Sequence, residues 1–283
     1  MSNVDEILSL VVKDPKQDGV DFSGYDLRTI SLSGVTFVFA TLVDVQFDES
    51  ELRAINFSKA TMEKASFRKA RLKDVNFSGA NLSGSNFEEA TLVNCNFKNA
   101  TLENCEMTSA IIKNCDFRGA NFNYANLYSV VVEESDLSFT RFMYAYLKQI
   151  EINKSQMSGT NARGADISFS KLTDVNLAGS VLKYGDLNTC TFKGVNLNHA
   201  NLVGVELKDA HCAGVTFQET NLEGADMTYA NFEGAMMENA FLLEANLHGT
   251  NFTNANLKDA YLVDANIAKA VTTGAKLENT ILQ

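Results

Sequence analysis

An apolar residue occupies almost every fifth position from Phe22 to Leu282, and this register never shifts along the chain. It defines 53 consecutive five-residue units, whose central positions (here called i) hold 25 Leu, 15 Phe, 5 Met, 4 Ile and one Val. Only Ala162, Cys212 and Thr272 depart from this set. A period of five matches neither the 2.0 of a strand nor the 3.6 of a helix. The pattern therefore excludes an ordinary globular fold and indicates a solenoid, in which each unit packs only against its neighbours.

The types of residue found at two further positions of each unit are also restricted. Two residues before the centre, 40 of 53 positions hold a small residue, and two residues after the centre the chain places 15 of its 17 glycines. If the side chains at i and i−2 both point into a narrow tube, a large residue at i requires a small one at i−2 to avoid overlap. Glycine at i+2 fits a corner where the chain turns through positive φ.

Units such as Ala80-Asn81-Leu82-Ser83-Gly84 resemble the A-(D/N)-L-x-x pattern of the pentapeptide repeat family, whose members include bacterial proteins. The resemblance implies an all-β fold, a right-handed four-sided parallel β-helix with one pentapeptide per wall and twenty residues per turn. We expect residues 1–19 to form an N-terminal capping helix and lead-in. Residues 20–283 are expected to form a pentapeptide-repeat β-helix of about 13 turns.

The N-terminal segment predicts a short helix from Val4 to Val12 that covers the first turn. Asn3 and Glu6 have the spacing of an N-cap residue and its N3 partner, and Pro15 ends the helix. The apolar face of this helix is predicted to consist of Ile7, Leu8, Val11 and Val12.

Charge and composition exclude several functions. The net charge of −11 excludes a protein that binds nucleic acid directly by neutralising phosphates. No apolar run approaches the roughly 20 residues needed to span a membrane, and the acidic N-terminus lacks the basic start of a signal peptide. We therefore expect a cytoplasmic protein.

The five cysteines and three histidines do not predict a metal site. The register places Cys95, Cys105, Cys115, Cys190 and Cys212 as small buried hydrophobes. Cys95 and Cys115 would stack about 4.8 Å apart, which permits a disulfide geometrically, but a cytosolic setting argues against one. The histidines fall on different walls, so no pair has ligand spacing.

The sequence gives little support for catalysis. It contains no Ser–His–Asp arrangement, phosphate-cradling glycine loop or paired carboxylates in a pocket. No insertion interrupts the repeat, so no loop is available to build a cleft. We expect a protein that is not an enzyme and has no cofactor.

Seven outward residues form a candidate surface for a protein partner. They are Tyr124, Arg141, Tyr144, Tyr146, Arg163, Lys183 and Tyr184. Tyrosine and arginine on a rigid surface are typical of interface hot spots. The alternative is that tyrosine simply suits outward positions of a β-structure.

Five outward apolar residues form a second candidate surface near the end of the repeat. They are Phe241, Leu243, Tyr261, Val263 and Ile281. Because contiguous outward apolar groups mark partner surfaces, we expect a homodimer through the C-terminal turns. An incidental β-forming edge would instead leave a monomer.

Two functions remain in competition. The leading one is a scaffold that binds a protein partner of unknown identity, which is what resemblance to a regulator of cyanobacterial heterocyst differentiation implies. The alternative is a DNA mimic that binds DNA gyrase or topoisomerase IV and gives quinolone tolerance, since residues 201–283 carry a net charge of −7. Basic residues interrupt one acidic wall, and solubility alone also explains the acidity.

Overall fold

The computed structural model describes residues 3–281 and forms two compact units, Met1–Arg141 and Phe142–Gln283. The first unit contains helix α1 (Asn3–Lys13) and strands β1 (Ser31–Ser33), β2 (Glu51–Arg53), β3 (Arg71–Lys73), β4 (Thr91–Val93), β5 (Ile111–Lys113) and β6 (Val131–Glu133). The second contains β7 (Glu151–Asn153), β8 (Lys171–Thr173) and β9 (Thr191–Lys193).

Within each unit, every strand pairs in parallel with the next one along the chain. Leu32 lies opposite Leu52, and Ile152 lies opposite Leu172, so the register is twenty residues. Isolated bridges repeat this separation on the other walls. Each twenty-residue turn, here called a coil, therefore consists of four pentapeptides. The predicted four-sided parallel β-helix is confirmed.

The alternation of large and small inward residues is also confirmed. Ala80 and Leu82 are both fully buried, as are Ala225 and Met227 in the second unit. Successive coils stack identical positions, and apolar burial along the stack is the main favourable term. Phenylalanines at equivalent positions therefore stack, with the ring centres of Phe77 and Phe97 separated by 4.7 Å and an angle of 19° between the ring planes.

The Asn or Asp at i−1 has a local structural role that explains its frequency. Its side-chain oxygen accepts the backbone N–H of residue i+1, as in the 3.0 Å bond from Lys98 N to Asn96 Oδ1. The amide nitrogen can also donate to the same position one coil earlier. Asn251 Nδ2, for example, donates to Asn231 Oδ1 at 3.0 Å.

The corners turn through positive φ, as predicted for glycine, but glycine is not required there. Gly84 has a φ of 67°, and Lys64 and Asn104 at the same corner of the neighbouring coils have φ of 58° and 55°. The wall hydrogen bonds on both sides fix the corner geometry. Residues with a Cβ therefore accept a conformational cost of about 1 kcal/mol in this region.

Helix α1 packs on the first coils, but its buried face differs from the prediction. Ile7 is buried and Val11 half-buried, whereas Leu8 is 38% and Val12 84% exposed, so the assignment of Leu8 and Val12 was wrong. Val4 takes part instead, because residues at i, i+3 and i+7 share one side of a helix.

Two polar contacts join α1 to the coil beneath it. Asn3 is the first helical residue rather than the residue before the helix, and its Oδ1 accepts the N–H of Asp26 at 3.3 Å. Glu6 accepts a hydrogen bond from the Tyr25 hydroxyl, which raises the pKa of that tyrosine. The last central position of the repeat, Leu282, lies outside the described residues.

Candidate functional site

Two tyrosines of the second unit pack against glycines of the next coil through one edge of each ring. Tyr144 and Tyr184 occupy the same corner two coils apart, with φ of 56° and 58°. A Cβ at Gly164 would lie 2.6 Å from Cε1 of Tyr144, and one at Gly204 would lie 2.7 Å from Cδ1 of Tyr184. The glycines therefore make room for the rings, and both tyrosines remain about half exposed.

A positively charged side chain, Arg163, packs against one of these two tyrosines. The guanidinium carbon of Arg163 lies over the Tyr184 ring, 5.2 Å from its centre. Lys183 is half-buried beside Tyr184 in sequence, and Tyr146 is exposed. We call Tyr144, Tyr146, Arg163, Lys183 and Tyr184 the tyrosine surface.

The remaining two predicted partner residues belong to the first unit. Tyr124 is an exposed corner residue with a φ of 60°, and Arg141 is exposed and pairs in register with Asn121. Of the seven residues predicted to form one partner surface, two therefore lie in the first unit and five in the second.

Sequence reasoning missed a second aromatic–cation pair and the rule that positions the tyrosines. Lys148 Nζ lies 4.9 Å from the ring centre of Phe169, which is exposed at another corner. Tyr229 packs against Gly249 in the same way that Tyr144 packs against Gly164. A corner tyrosine followed by glycine twenty residues later is a signal that the sequence contains.

Four carboxylates stack on successive coils of the second unit. Asp166, Asp186, Glu206 and Asp226 are register partners, and we call them the acidic ladder. Burial, together with the charges of Asp166 and Glu206, raises the pKa of Asp186. Lys208 partly compensates, with its Nζ 3.4 Å from Asp226 Oδ2 and 3.9 Å from Glu206 Oε2. The ladder concentrates negative charge on one wall of the second unit.

The five apolar residues predicted near the end of the repeat are at least partly exposed. The rings of Phe241 and Tyr261 stack at 5.1 Å and 9°, and they are 44% and 40% exposed. Ile281 is in register with Tyr261 and is also exposed. Leu243 and Val263 are half-exposed. We call these five residues the end surface.

The cysteines are interior residues whose pKa values are raised, except for Cys115, whose pKa is lowered by its hydrogen bond with Cys95. All five are free and buried, and burial raises the pKa of Cys190 to about 12. A thiol with a raised pKa is a poor nucleophile at neutral pH. Residues 3–281 contain no group of three or more His, Cys, Asp or Glu side chains that could hold a metal ion. Within the same residues, no helix has the length and apolar character needed to cross a bilayer.

The family model for pentapeptide repeats matches eight segments, residues 40–79, 50–88, 70–108, 107–138, 140–177, 170–209, 206–242 and 245–283. The chain belongs to the pentapeptide repeat family. No curated protein sequence matched this pentapeptide repeat protein.

Three solved structures illustrate what the pentapeptide repeat protein resembles. HetL, involved in heterocyst differentiation regulation in the cyanobacterium Nostoc sp. strain PCC 7120, is 22% identical over 99% of this chain and 98% of its own, with a TM-score of 0.32. Rfr23 from the cyanobacterium Cyanothece 51142 is 33% identical over 35% of this chain and 64% of its own, with a TM-score of 0.31. QnrB1, a plasmid-mediated fluoroquinolone resistance protein, is 20% identical over 75% of this chain and 92% of its own, with a TM-score of 0.36.

Proposed function

We propose that this pentapeptide repeat protein is a non-catalytic scaffold that binds a protein partner through the tyrosine surface. One observation carries the proposal: the Arg163 guanidinium lies over the exposed Tyr184 ring. Arginine and tyrosine are enriched among residues that dominate binding energy, and a cation over an aromatic face orders both groups before binding.

The backbone supports the same conclusion. The tyrosine surface lies on hydrogen-bonded coils, and the Tyr144 and Tyr184 rings rest on Gly164 and Gly204. Side chains held in this way lose little conformational freedom when a partner binds, which favours affinity. Substitution of these outward groups is therefore expected to affect binding far more than folding.

Comparative affinity purification tests the proposal. The full chain is immobilised as wild type, Arg163→Ala, Tyr184→Ala and Tyr229→Ala, and the captured proteins are quantified by mass spectrometry. Tyr229 is a matched control because it is a corner tyrosine over a glycine, 59% exposed, outside the tyrosine surface. We expect a partner that Tyr229→Ala retains and the other two variants lose. A partner retained by all variants contradicts the proposal.

The acidic ladder favours a second candidate, a DNA mimic that binds DNA gyrase or topoisomerase IV and gives quinolone tolerance. Its four carboxylates are in register on successive coils, so they present a regular row of negative charge. Such a row can complement a basic groove that normally holds DNA phosphates. A gyrase supercoiling assay with and without ciprofloxacin tests this candidate. It is eliminated if the protein neither protects nor inhibits gyrase.

We also propose that two copies associate through the end surface. Phe241 and Tyr261 form a stacked aromatic pair that exposes a large part of both rings. Contiguous exposed apolar groups of this kind are typical of interfaces. Sedimentation of wild type and the double variant Phe241→Asp/Tyr261→Asp tests the association. We expect a dimer that the variant converts to a monomer, and a wild-type monomer contradicts it.

A further inference from the structure

The first unit contains a basic coil within an acidic chain. From Arg53 to Lys73 the sequence has seven cations and one acid, although the whole chain carries −11. The cations are Arg53, Lys59, Lys64, Arg68, Lys69, Arg71 and Lys73. Because one coil takes twenty residues, these charges are confined to about one turn of the β-helix.

Several of these cations have partners in the adjacent coils. Lys69 Nζ lies 3.8 Å from Glu89 Oε1, and Arg71 Nη1 lies 3.3 Å from Glu51 Oε1. Lys59 Nζ lies 5.1 Å from the centre of the Phe39 ring. These three cations therefore have contacts within the fold.

Arg53 and Lys73 differ from these three cations in their charged neighbours. They are register partners on β2 and β3, so two like charges stand side by side on neighbouring strands, about 4.8 Å apart at the backbone. Both are exposed, and neither forms an ion pair with any residue between 3 and 281. Like charges directly opposite each other destabilise a sheet. The charge interaction within this pair therefore does not stabilise the fold.

A shallow depression of about 510 Å³ contains this pair. The outward hydroxyl groups of Ser31, Ser33 and Thr91 also line the depression, together with the Glu51–Arg71 ion pair, in which the one carboxylate of the lining is already neutralised. Guanidinium, ammonium and hydroxyl groups are all hydrogen-bond donors, and charge-assisted bonds to a carboxylate are the strongest kind. The depression is therefore chemically suited to an anionic group.

The neighbouring coils restrict the length of that anion. Residues 33–52 contain four acids and no cation, and residues 74–97 contain three acids and no cation. A long polyanion such as duplex DNA would extend over these negative coils and be repelled. A short segment with two or three carboxylates is accommodated by the basic coil alone.

We propose that Arg53 and Lys73 form a binding site for a short acidic segment of a protein partner. The site lies in the first unit and uses none of the residues of the tyrosine surface. Its test is therefore independent of the scaffold proposal.

The test measures binding of a fluorescein-labelled hexaglutamate peptide to the full chain by fluorescence anisotropy at low ionic strength. The variants are Arg53→Glu and Lys73→Glu, each of which converts the like-charge pair into an opposite-charge pair. Lys193→Glu is the matched control, because Lys193 is an exposed outward residue at the same position of a strand, β9, in the second unit. A labelled 20-base-pair DNA duplex is the second probe.

We expect the wild type to bind the peptide, and each of the two site variants to bind at least tenfold more weakly while melting at the same or a higher temperature. Lys193→Glu should stay within twofold of wild type. Absence of peptide binding by the wild type overturns the proposal. Equal loss in Lys193→Glu, or tighter binding of the duplex than of the peptide, also overturns it.

Discussion

The Tyr144 ring rests against Gly164 of the following coil, and a Cβ at Gly164 would approach Cε1 of that ring to 2.6 Å. The glycine is therefore required by the tyrosine rather than by the corner, since residues with a Cβ occupy equivalent corners elsewhere in the chain. The same relation joins Tyr184 to Gly204. In both pairs, the glycine of one coil determines where the tyrosine ring of the preceding coil can lie. These contacts therefore set the positions of the two rings in the tyrosine surface.

Replacing Gly164 by alanine should displace the Tyr144 ring. The matched control is Gly179→Ala, since Gly179 has a φ of +65° against +66° for Gly164, and its Cβ would meet no atom within 4 Å. Both variants carry the backbone cost of alanine at positive φ, about 1 kcal/mol. Gly164→Ala should lose about 0.5 kcal/mol more in the free energy of unfolding, because the half-exposed Tyr144 side chain must leave its preferred rotamer. Equal losses in urea titrations would contradict the packing described.

Replacing Ser85 by alanine should stabilise the protein. Among residues 3–281, the buried Oγ of Ser85 has no hydrogen-bond partner. Removing an unsatisfied buried hydroxyl should raise the free energy of unfolding by about 1 kcal/mol. Ser170→Ala serves as control, since Ser170 Oγ donates to Leu147 O at 3.2 Å and accepts from Ile150 N at 3.1 Å. The control should be destabilised by about 1–3 kcal/mol. Urea unfolding of both variants measures the difference.

Replacing Asp186 by asparagine should stabilise the protein at neutral pH. Burial and the neighbouring carboxylates raise the pKa of Asp186, so the folded state holds its proton more tightly than the unfolded state does. The wild type therefore loses stability as the pH rises above the usual aspartate pKa of about 3.9. Asparagine removes this loss and keeps the 2.9 Å bond from Asn188 N, because its amide oxygen can accept it.

The advantage of Asp186→Asn should be on the order of 0.5 kcal/mol, the size of a relieved like-charge contact. It should be absent near pH 3 and grow to a plateau as the pH rises. Asp209→Asn, a change at an exposed corner, should show no such trend. Unfolding free energies at a series of pH values measure both, and a flat difference for Asp186→Asn would argue against the acidic ladder.

The inward positions could be predicted from the sequence because they follow from the period alone. Leu82 and Ala80 must share the interior once every fifth residue is large and its companion small, and both are buried. The stacked phenylalanines follow from the same twenty-residue register. Because the same steric rule applies in every unit, few other arrangements of the inward side chains are possible.

The rotation of a helix and the direction of an outward side chain could not be predicted in this way. Leu8 and Val12 fit an apolar helical face, but contact with the first coils sets the rotation of α1 and leaves both exposed. The position of Arg163 over Tyr184 depends on rotamers that no period constrains. The glycine at position 204 is visible in the sequence, yet its relation to Tyr184 depends on the corner geometry.

The most direct test of the account compares one inward and one outward substitution by a large apolar residue. Ala230 is a fully buried i−2 residue, and Glu233 is an exposed i+1 residue of the same unit. In urea titrations, Ala230→Leu should lower the free energy of unfolding by at least about 2 kcal/mol, because the packed interior has no room for the added atoms. Glu233→Leu should stay within about 0.5 kcal/mol of wild type. Equal tolerance of the two changes would contradict the small-and-large interior on which the fold rests.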